Sequence, residues 1–325
     1  MKAMRVTQLG GPSVLQLQEL PQPTPAAGEA LVRVHAVGVN FADIYYRNGS
    51  ARIPVATPFT PGIEGAGVVE SVGPAVTEVK PGDRVAYAGG LGSYAEFQTF
   101  KAAQLAPLPA EFSFHQGAAA ILQGLTAHYL LHEFYPIRRG STVLVHAAAG
   151  GMGLLLVQWL KHLGAIAIGT VSTEEKATIA REAGADHVIL YTKQDFVEEA
   201  KKLTGGKGVD YVIDGVGKTT FTKNFDALRN RGWATVFGMA SGPADPVVPN
   251  SLMMKSLTIS GGALFNYITT REELLRRATD VFRGLREGWL KLRIDRTLPL
   301  AEAAEAHRLL ESRLTAGKLV LKTSA

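Results

Sequence analysis

A chain of 325 residues, 46% hydrophobic and 19% charged, is long enough for two domains and has the balance of an ordered α/β protein, not a disordered or fibrous one. It contains no cysteine, which excludes disulfides, thiol nucleophiles and every cysteine-ligated zinc site at once. The formal charge of +5 is spread among acids, as in TREELLRRATD, without the dense basic runs or aromatic interleaving of a nucleic-acid surface, so no dedicated nucleic-acid role is expected.

The N-terminal MKAMRVTQLG lacks the apolar core of a secretory signal, and no segment is apolar for long enough to span a bilayer, so a cytoplasmic protein is expected. AMRVTQL, VLQLQEL, EALVRVHAVGV, GAGVVESVG and DRVAYAG then read as short strands between Pro and Gly punctuation, the pattern of a partly open barrel. From about Gly124 the pattern changes to strands alternating with helices. Helical GLTAHYLLHEF precedes strand VLVHA, helix LLLVQWLKHLG, strand AIAIGTV, helix STEEKATIAREAG, strand HVILY, helix QDFVEEAKKLTGG, strand VDYVID, helix TTFTKNFDALRN and strand WATVFG. Such alternation builds a doubly wound parallel sheet. Ser172 to Glu175 fits a capping box, and Gly184 and Gly205 sit where helices end. After SLTISGGAL and one amphipathic helix, the tail LRIDRTLPL, AEAAEAHRLLESR, GKLVLK has no sheet of its own and is expected to rejoin the N-terminal domain.

The loop after VLVHA nearly spells the dinucleotide fingerprint, with Ala148, Gly150 and Gly153 at its three positions and the first glycine missing. It opens a βαβ unit of the right length, which leaves Gly150 free to approach a pyrophosphate and Gly153 to pack helix on strand. A second candidate, DGVGKTT from Asp214 to Thr220, carries a G-K-T ending. Val212 stands where a triphosphate loop needs its first glycine, so an ordinary strand-to-helix turn is expected there. At the end of the second strand, where a carboxylate would hold the ribose 2′-OH of NAD, the chain has Val171, Ser172 and Thr173, then Lys176. A hydroxyl and a cation in place of the carboxylate suit a 2′-phosphate, which points to NADPH.

At this point the chain resembles, over its whole length, the zinc-free quinone oxidoreductases related to ζ-crystallin, within the medium-chain dehydrogenase/reductase superfamily. The resemblance is carried by VNFADIYYRNG, PGIEGAGVVESVGPAVTEVKPGDRVAY, LQGLTAHYLL, HAAAGGMGLLLVQWLKHLGAIAIGTVSTEEK, ITTREEL and HRLLESRLTAGKLVL. It implies a GroES-like partly open β-barrel domain (1–123 and 266–325) plus a Rossmann doubly wound parallel-sheet domain (124–265), with a cleft between them. It also implies that Asn40, Asp43 and Tyr45 act on the substrate beside the nicotinamide, Asn40 touching the cofactor as well. Thr126 would lie near the nicotinamide ribose, Gly150, Gly151 and Met152 at the pyrophosphate, and Ser172, Lys176 and Tyr191 around the 2′-phosphate. Phe237 would border the cofactor and Arg313 reach it from the tail.

Zinc-dependent relatives in that superfamily carry G-H-E with a ligating histidine and a first zinc cysteine; this chain has Gly62-Ile63-Glu64 and Asn40. No metal is therefore expected. His128 and His132, four apart on a helix, lack a third ligand in register and read as a packed or surface pair. The expectation is an NADPH:quinone oxidoreductase that works by proximity and by a hydrogen bond from Asn40 or Tyr45 to the oxygen gaining charge. The alternatives are an enone or alkenal reductase and a non-catalytic NADPH-binding protein. The substrate is a small quinone or enone, and LTISGGAL is expected to pair across a two-fold axis in a homodimer.

Overall fold

The ten residues EALVRVHAVG become the longest strand, Glu29–Gly38, whose inward residues Val32, Val34 and Val37 are fully buried. The computed structural model describes residues 1–324 and divides into two units. The first comprises Met1–Leu125, Ile268–Phe282 and the chain from Leu292 onward; the second comprises Thr126–Tyr267 and Arg283–Lys291.

In the first unit, strands run in the order Ile294–Pro299, Lys318–Lys322, Glu29–Gly38, Glu64–Val72, Arg84–Ala88, Leu105–Pro107, and Phe97–Lys101 also pairs with Glu29–Gly38. All pairings are antiparallel except that of Ile294–Pro299 with Lys318–Lys322. The register between Glu29–Gly38 and Glu64–Val72 shifts twice, at Leu31/Val32 and at Val34/Ala36. Such irregularities bend a sheet and raise its twist, as a partly open barrel requires. Met4, Val32, Val34, Val69, Tyr87, Phe100, Leu319 and Leu321 fill the interior. The tail joins this unit because Lys318–Lys322 completes the sheet beside Glu29–Gly38.

An eight-residue helix, Phe41–Asn48, follows the long strand and ends at Gly49, whose φ of 80° few side chains tolerate. It is too short to show a periodic pattern in the sequence.

The second unit is a six-stranded parallel sheet in the order His187–Leu190, Ile166–Val171, Thr142–Val145, Val209–Asp214, Leu228–Val236, Thr258–Gly261. The chain winds outward in one direction, returns to the centre and winds out in the other. The switch between Thr142–Val145 and Val209–Asp214 is where doubly wound sheets hold ligands. Gly184 and Gly205 end helices at φ of 107° and 61°.

Two element boundaries differ from the sequence reading. Helix Phe114–His132 starts ten residues before Gly124, because HQGAAAILQ is rich in helix formers and its alanines are buried. The helix expected to run to Asn230 stops at Ala227; Leu228 is buried and pairs with Val209, so ALRN is drawn into the fifth strand. No helix among the described residues is long and apolar enough to cross a membrane.

Candidate active site

The loop from Ala147 to Gly153 turns the first parallel strand into helix Gly151–His162. The missing fingerprint glycine has a local cause. Ala148 needs no left-handed backbone, because the positive φ of the turn falls one residue earlier, on Ala147 at 53°. A side chain at Gly153 would place its Cβ 2.3 Å from the Ala147 carbonyl oxygen, so helix and loop touch there. At Gly150 a Cβ would meet only that same oxygen, at 3.2 Å. The first bond of the helix runs from the Leu154 N–H to the Gly150 carbonyl. It leaves the N–H groups of Gly151, Met152 and Gly153 pointing out of the helix start, where an anion is stabilised.

At the end of strand Ile166–Val171 the next helix is capped by Thr173, whose Oγ1 accepts from the Lys176 N–H at 3.2 Å. The capping box at Ser172 therefore gives way to a cap one residue later, because Thr173 has the extended backbone a cap needs. The Ser172 hydroxyl takes no part in the cap. Lys176 is half-buried one turn into the helix, and Tyr191, 48% exposed, is held beside this corner by its N–H on the Val171 carbonyl at 3.1 Å. Ser172 and Tyr191 thus flank the end of this strand, Lys176 follows one turn into the helix, and the first carboxylates, Glu174 and Glu175, belong to that helix's first turn.

The competing DGVGKTT loop is closed from within. Asp214 Oδ1 accepts from the N–H groups of Val216 and Gly217 at 2.7 and 3.0 Å, and its Oδ2 accepts from Thr220 and Asn224. The donors that would cradle a phosphate are already used. Asn224 in turn orients buried His146. Its amide donates to Asp214, so its oxygen accepts from His146 Nε2 at 2.8 Å, and Thr170 donates to Nδ1 at 3.0 Å. Burial pushes the imidazole below its ordinary pKa, so it is neutral and ties three strand ends together under the glycine loop. Thr126 is buried, and the half-buried Phe237 ring lies over Gly215, where a Cβ would come within 2.6 Å of it.

In the first unit, Asn40 caps helix Phe41–Asn48, and its polar atoms are consumed. Its amide donates to the Gly38 carbonyl at 3.1 Å and to Glu64 Oε2 at 2.9 Å, and its oxygen accepts from Lys318 Nζ at 2.7 Å. Lys318 also pairs with Glu64 at 2.6 Å, and both are buried. Asp43 is fully buried; its Oδ2 accepts from the Asn40 N–H and the Tyr94 hydroxyl, and burial pushes its pKa up to about 7. These placements alter two expectations. Asn40 has no side-chain proton left to offer an oxygen, and Asp43 presents no surface. Tyr45, half-buried on the same helix, lies with its ring 6.3 Å from that of Phe41. Arg313 lies beyond helix Ala303–Glu311, exposed, at a left-handed φ of 58°.

Lys318, Glu64, Tyr94, Arg47, His307 and His146 were not singled out from sequence. The one available signal was the spacing of Asp43 and Arg47, four apart in an otherwise apolar and aromatic segment. The His128 and His132 rings pack against Trp159 at 5.6 and 5.9 Å.

A curled, mainly antiparallel unit together with a parallel sheet of this strand order is the architecture of the two-domain dehydrogenases, a GroES-like domain plus a Rossmann domain. Residues 26–110 match the alcohol dehydrogenase GroES-like domain, and residues 151–280 match the zinc-binding dehydrogenase family. The chain is 44% identical to quinone oxidoreductase 1 of Escherichia coli over 316 residues, covering 96% of each. It is 42% identical to a 2-haloacrylate reductase of Burkholderia over 323 residues, covering 97% of each. The crystal structure of E. coli quinone oxidoreductase complexed with NADPH superposes with a TM-score of 0.96 at 42% identity, over 99% of this chain and all of that one. The chain belongs to the zinc-independent quinone oxidoreductases of the medium-chain dehydrogenase/reductase superfamily. The zinc in the matched domain's description does not fit these residues. Asn40 Oδ1 is taken by an ammonium, Ile63 is apolar, and no three His, Asp or Glu side chains gather as a metal site among the described residues.

Proposed function

We propose that the protein reduces quinones with NADPH and without a metal. The observation that supports the cofactor choice is the end of strand Ile166–Val171, where Ser172 stands in place of the carboxylate that would hold a ribose 2′-OH, Lys176 follows one turn into the helix, and Tyr191 is held beside Val171. The pyrophosphate is assigned to the N–H groups of Gly151 and Met152 beside Gly150. Thr126 serves the nicotinamide ribose, and Phe237 and Arg313 border the cofactor. The acceptor assignment rests on the quinone oxidoreductase relatives.

NADPH, when bound, supplies a hydride to the quinone, and one proton completes the quinol. Tyr45 is assigned as hydrogen-bond donor to the oxygen that gains charge. Asn40 and Asp43 act by holding the start of helix Phe41–Asn48 rigid beside it. A second reading, reduction of an activated C=C bond, is favoured by the 2-haloacrylate reductase relative. A homodimer joined through Thr258–Gly261, the edge strand of the parallel sheet, and a cytoplasmic location complete the proposal.

The test follows loss of reduced-nicotinamide absorbance with NADPH or NADH, against a small benzoquinone and against 2-chloroacrylate. Turnover of benzoquinone with NADPH preferred supports the first reading, and turnover of the acrylate alone supports the second. NADPH binding with no turnover of either would make the protein a binding protein, and a monomer by light scattering would remove the dimer.

A further inference from the structure

Helix Phe41–Asn48 turns two charged side chains, Asp43 and Arg47, into the interior of the first unit, at 0% and 1% exposure. Four residues apart, they share a helix face. They form no ion pair with each other; Tyr94 and His307 stand between them. Arg47 Nη1 lies 3.0 Å from His307 Nδ1, His307 Nε2 lies 2.9 Å from the Tyr94 hydroxyl, and that hydroxyl lies 3.1 Å from Asp43 Oδ2. Arg47 is anchored at its other edge by Glu311, at 2.6 and 3.2 Å, and by the Gly10 carbonyl.

The direction of this chain follows from the donor inventory. A guanidinium only donates, so His307 Nδ1 accepts and its proton sits on Nε2. The imidazole therefore donates to Tyr94, and the single phenolic proton must go to Asp43. The Asn40 N–H donates to the same carboxylate oxygen at 2.8 Å. Oδ2 thus receives two donors, while Oδ1 is buried without a partner. Because a guanidinium offers donors only, the chain cannot reverse.

We propose that Tyr94 and His307 are positioning residues of the reductase site: they fix Asp43 on the backbone N–H of Asn40 and confine any proton that Asp43 takes up to Oδ1. The proposal rests on the assignment of the Asn40 segment to the reacting end. Every charged or titratable group facing Asp43 has a defined sign. Burial raises its affinity for a proton, and Glu64 on the neighbouring strand raises it further. The Asn40 N–H, Lys318 on strand Lys318–Lys322 and the Tyr94 hydroxyl lower it. Behind Tyr94, burial and Arg47 push the His307 imidazole down to about 3, which keeps it neutral and keeps the direction of the chain.

The experiment combines carbon-13 NMR titration of the Asp43 carboxyl with the pH profiles of kcat and KM for quinone reduction, on the full chain. Tyr94→Phe removes one donor from Oδ2, and the Asp43 midpoint should rise by about one unit, the worth of one hydrogen bond. The acid limb of kcat should move with it, while KM for NADPH stays put. His307→Gln offers Arg47 an acceptor and Tyr94 a donor in the same sense, so its midpoint should stay within about 0.3 units of the wild type. His307→Leu breaks the chain and should move it further than His307→Gln does. An unmoved midpoint in Tyr94→Phe overturns the proposal, as does a His307→Gln shift equal to that of His307→Leu. Asn40→Ala with full turnover would instead remove the assignment of Asn40 to the reacting end, and the NMR midpoints would still judge the chain.

Discussion

Two glycines three residues apart in one loop should fail in opposite ways when each is given a methyl group. In Gly153→Ala the new Cβ lies 2.3 Å from the Ala147 carbonyl oxygen and 2.6 Å from the Ala148 Cα, both backbone atoms that cannot swing aside. Overpacking of this kind costs about 1–3 kcal/mol, and the better helix propensity of alanine returns about 1. At the upper end of that cost, which two backbone clashes call for, the net loss is about 2 kcal/mol, or a Tm lower by about 3 °C in a chain of this size. In Gly150→Ala the nearest atom is at 3.2 Å, and the backbone, at φ −75° and ψ 167°, is one alanine adopts freely. The cost of losing glycine at a cap and the gain from a stiffer unfolded chain leave stability within about 1 kcal/mol of the wild type.

The Gly150 methyl would stand beside the open N–H groups of Gly151 and Met152. A pyrophosphate pushed back from them loses about two charge-assisted hydrogen bonds, or about 2–3 kcal/mol, which weakens NADPH roughly 30- to 150-fold. Melting curves and a fluorescence titration with NADPH measure both quantities. If Gly150→Ala binds NADPH as tightly as the wild type, the loop does not seat the pyrophosphate. If it melts as low as Gly153→Ala, Gly150 serves packing instead.

Lys176→Ala should weaken NADPH about 10- to 30-fold and leave NADH within about twofold, by loss of one phosphate pair; an unchanged NADPH to NADH ratio in KM would refute the 2′-phosphate corner. Ala147→Gly should raise stability by up to about 1 kcal/mol, since an exposed alanine at φ 53° carries left-handed strain, and a lower Tm would show that the strain is absent. Asp43, pushed up to about 7, holds more protons folded than unfolded between about pH 4 and 7, so its share of stability falls as pH rises; His307, pushed down to about 3, holds fewer between about pH 3 and 6.5, so its share grows. The two slopes oppose each other in the wild type, and His307→Gln should leave a stability that drops by roughly 4 kcal/mol from pH 4 to 7, a flat curve being the contrary result.

Alternation and punctuation made the parallel sheet legible, because every one of its strands except the edge strand Thr258–Gly261 follows an α-helix. The tail was legible for a different reason: LRIDRTLPL and GKLVLK could satisfy their backbone only on another sheet, and they do so beside Glu29–Gly38. Helix Phe41–Asn48 was not legible, since two turns give no periodicity. The buried polar cluster was hidden by distance along the chain. Lys318 reaches Asn40 across 278 residues, and Arg47 reaches His307 across 260. Composition also argues against it, because Lys, Arg, Asp and Glu are rarely buried unless paired. Ser172 was given the cap that Thr173 in fact makes, a one-residue ambiguity that only the backbone angles resolve.

On the proposed assignment, the same cluster limits what the site can reduce. Where zinc-dependent relatives place a ligating cysteine, this chain spends Asn40 on Lys318, Glu64 and Gly38, so its amide is a strut. Lys318 and Glu64 form a buried ion pair, and removing either partner would strand the other charge at a cost of about 3–5 kcal/mol. Such a pair fixes geometry, and its ammonium is spent on Asn40 and Glu64. With Tyr45 in its proposed role, the stabilisation left for an oxygen gaining charge is one hydrogen bond from a phenol, too weak for a simple ketone. A quinone, or an acrylate bearing a halogen, already draws electron density to itself and needs little more than a hydride held in place. The rigidity of the Asn40 segment and the electron poverty of the acceptor are therefore two sides of one arrangement: the protein contributes position, and the substrate contributes its own electrophilicity.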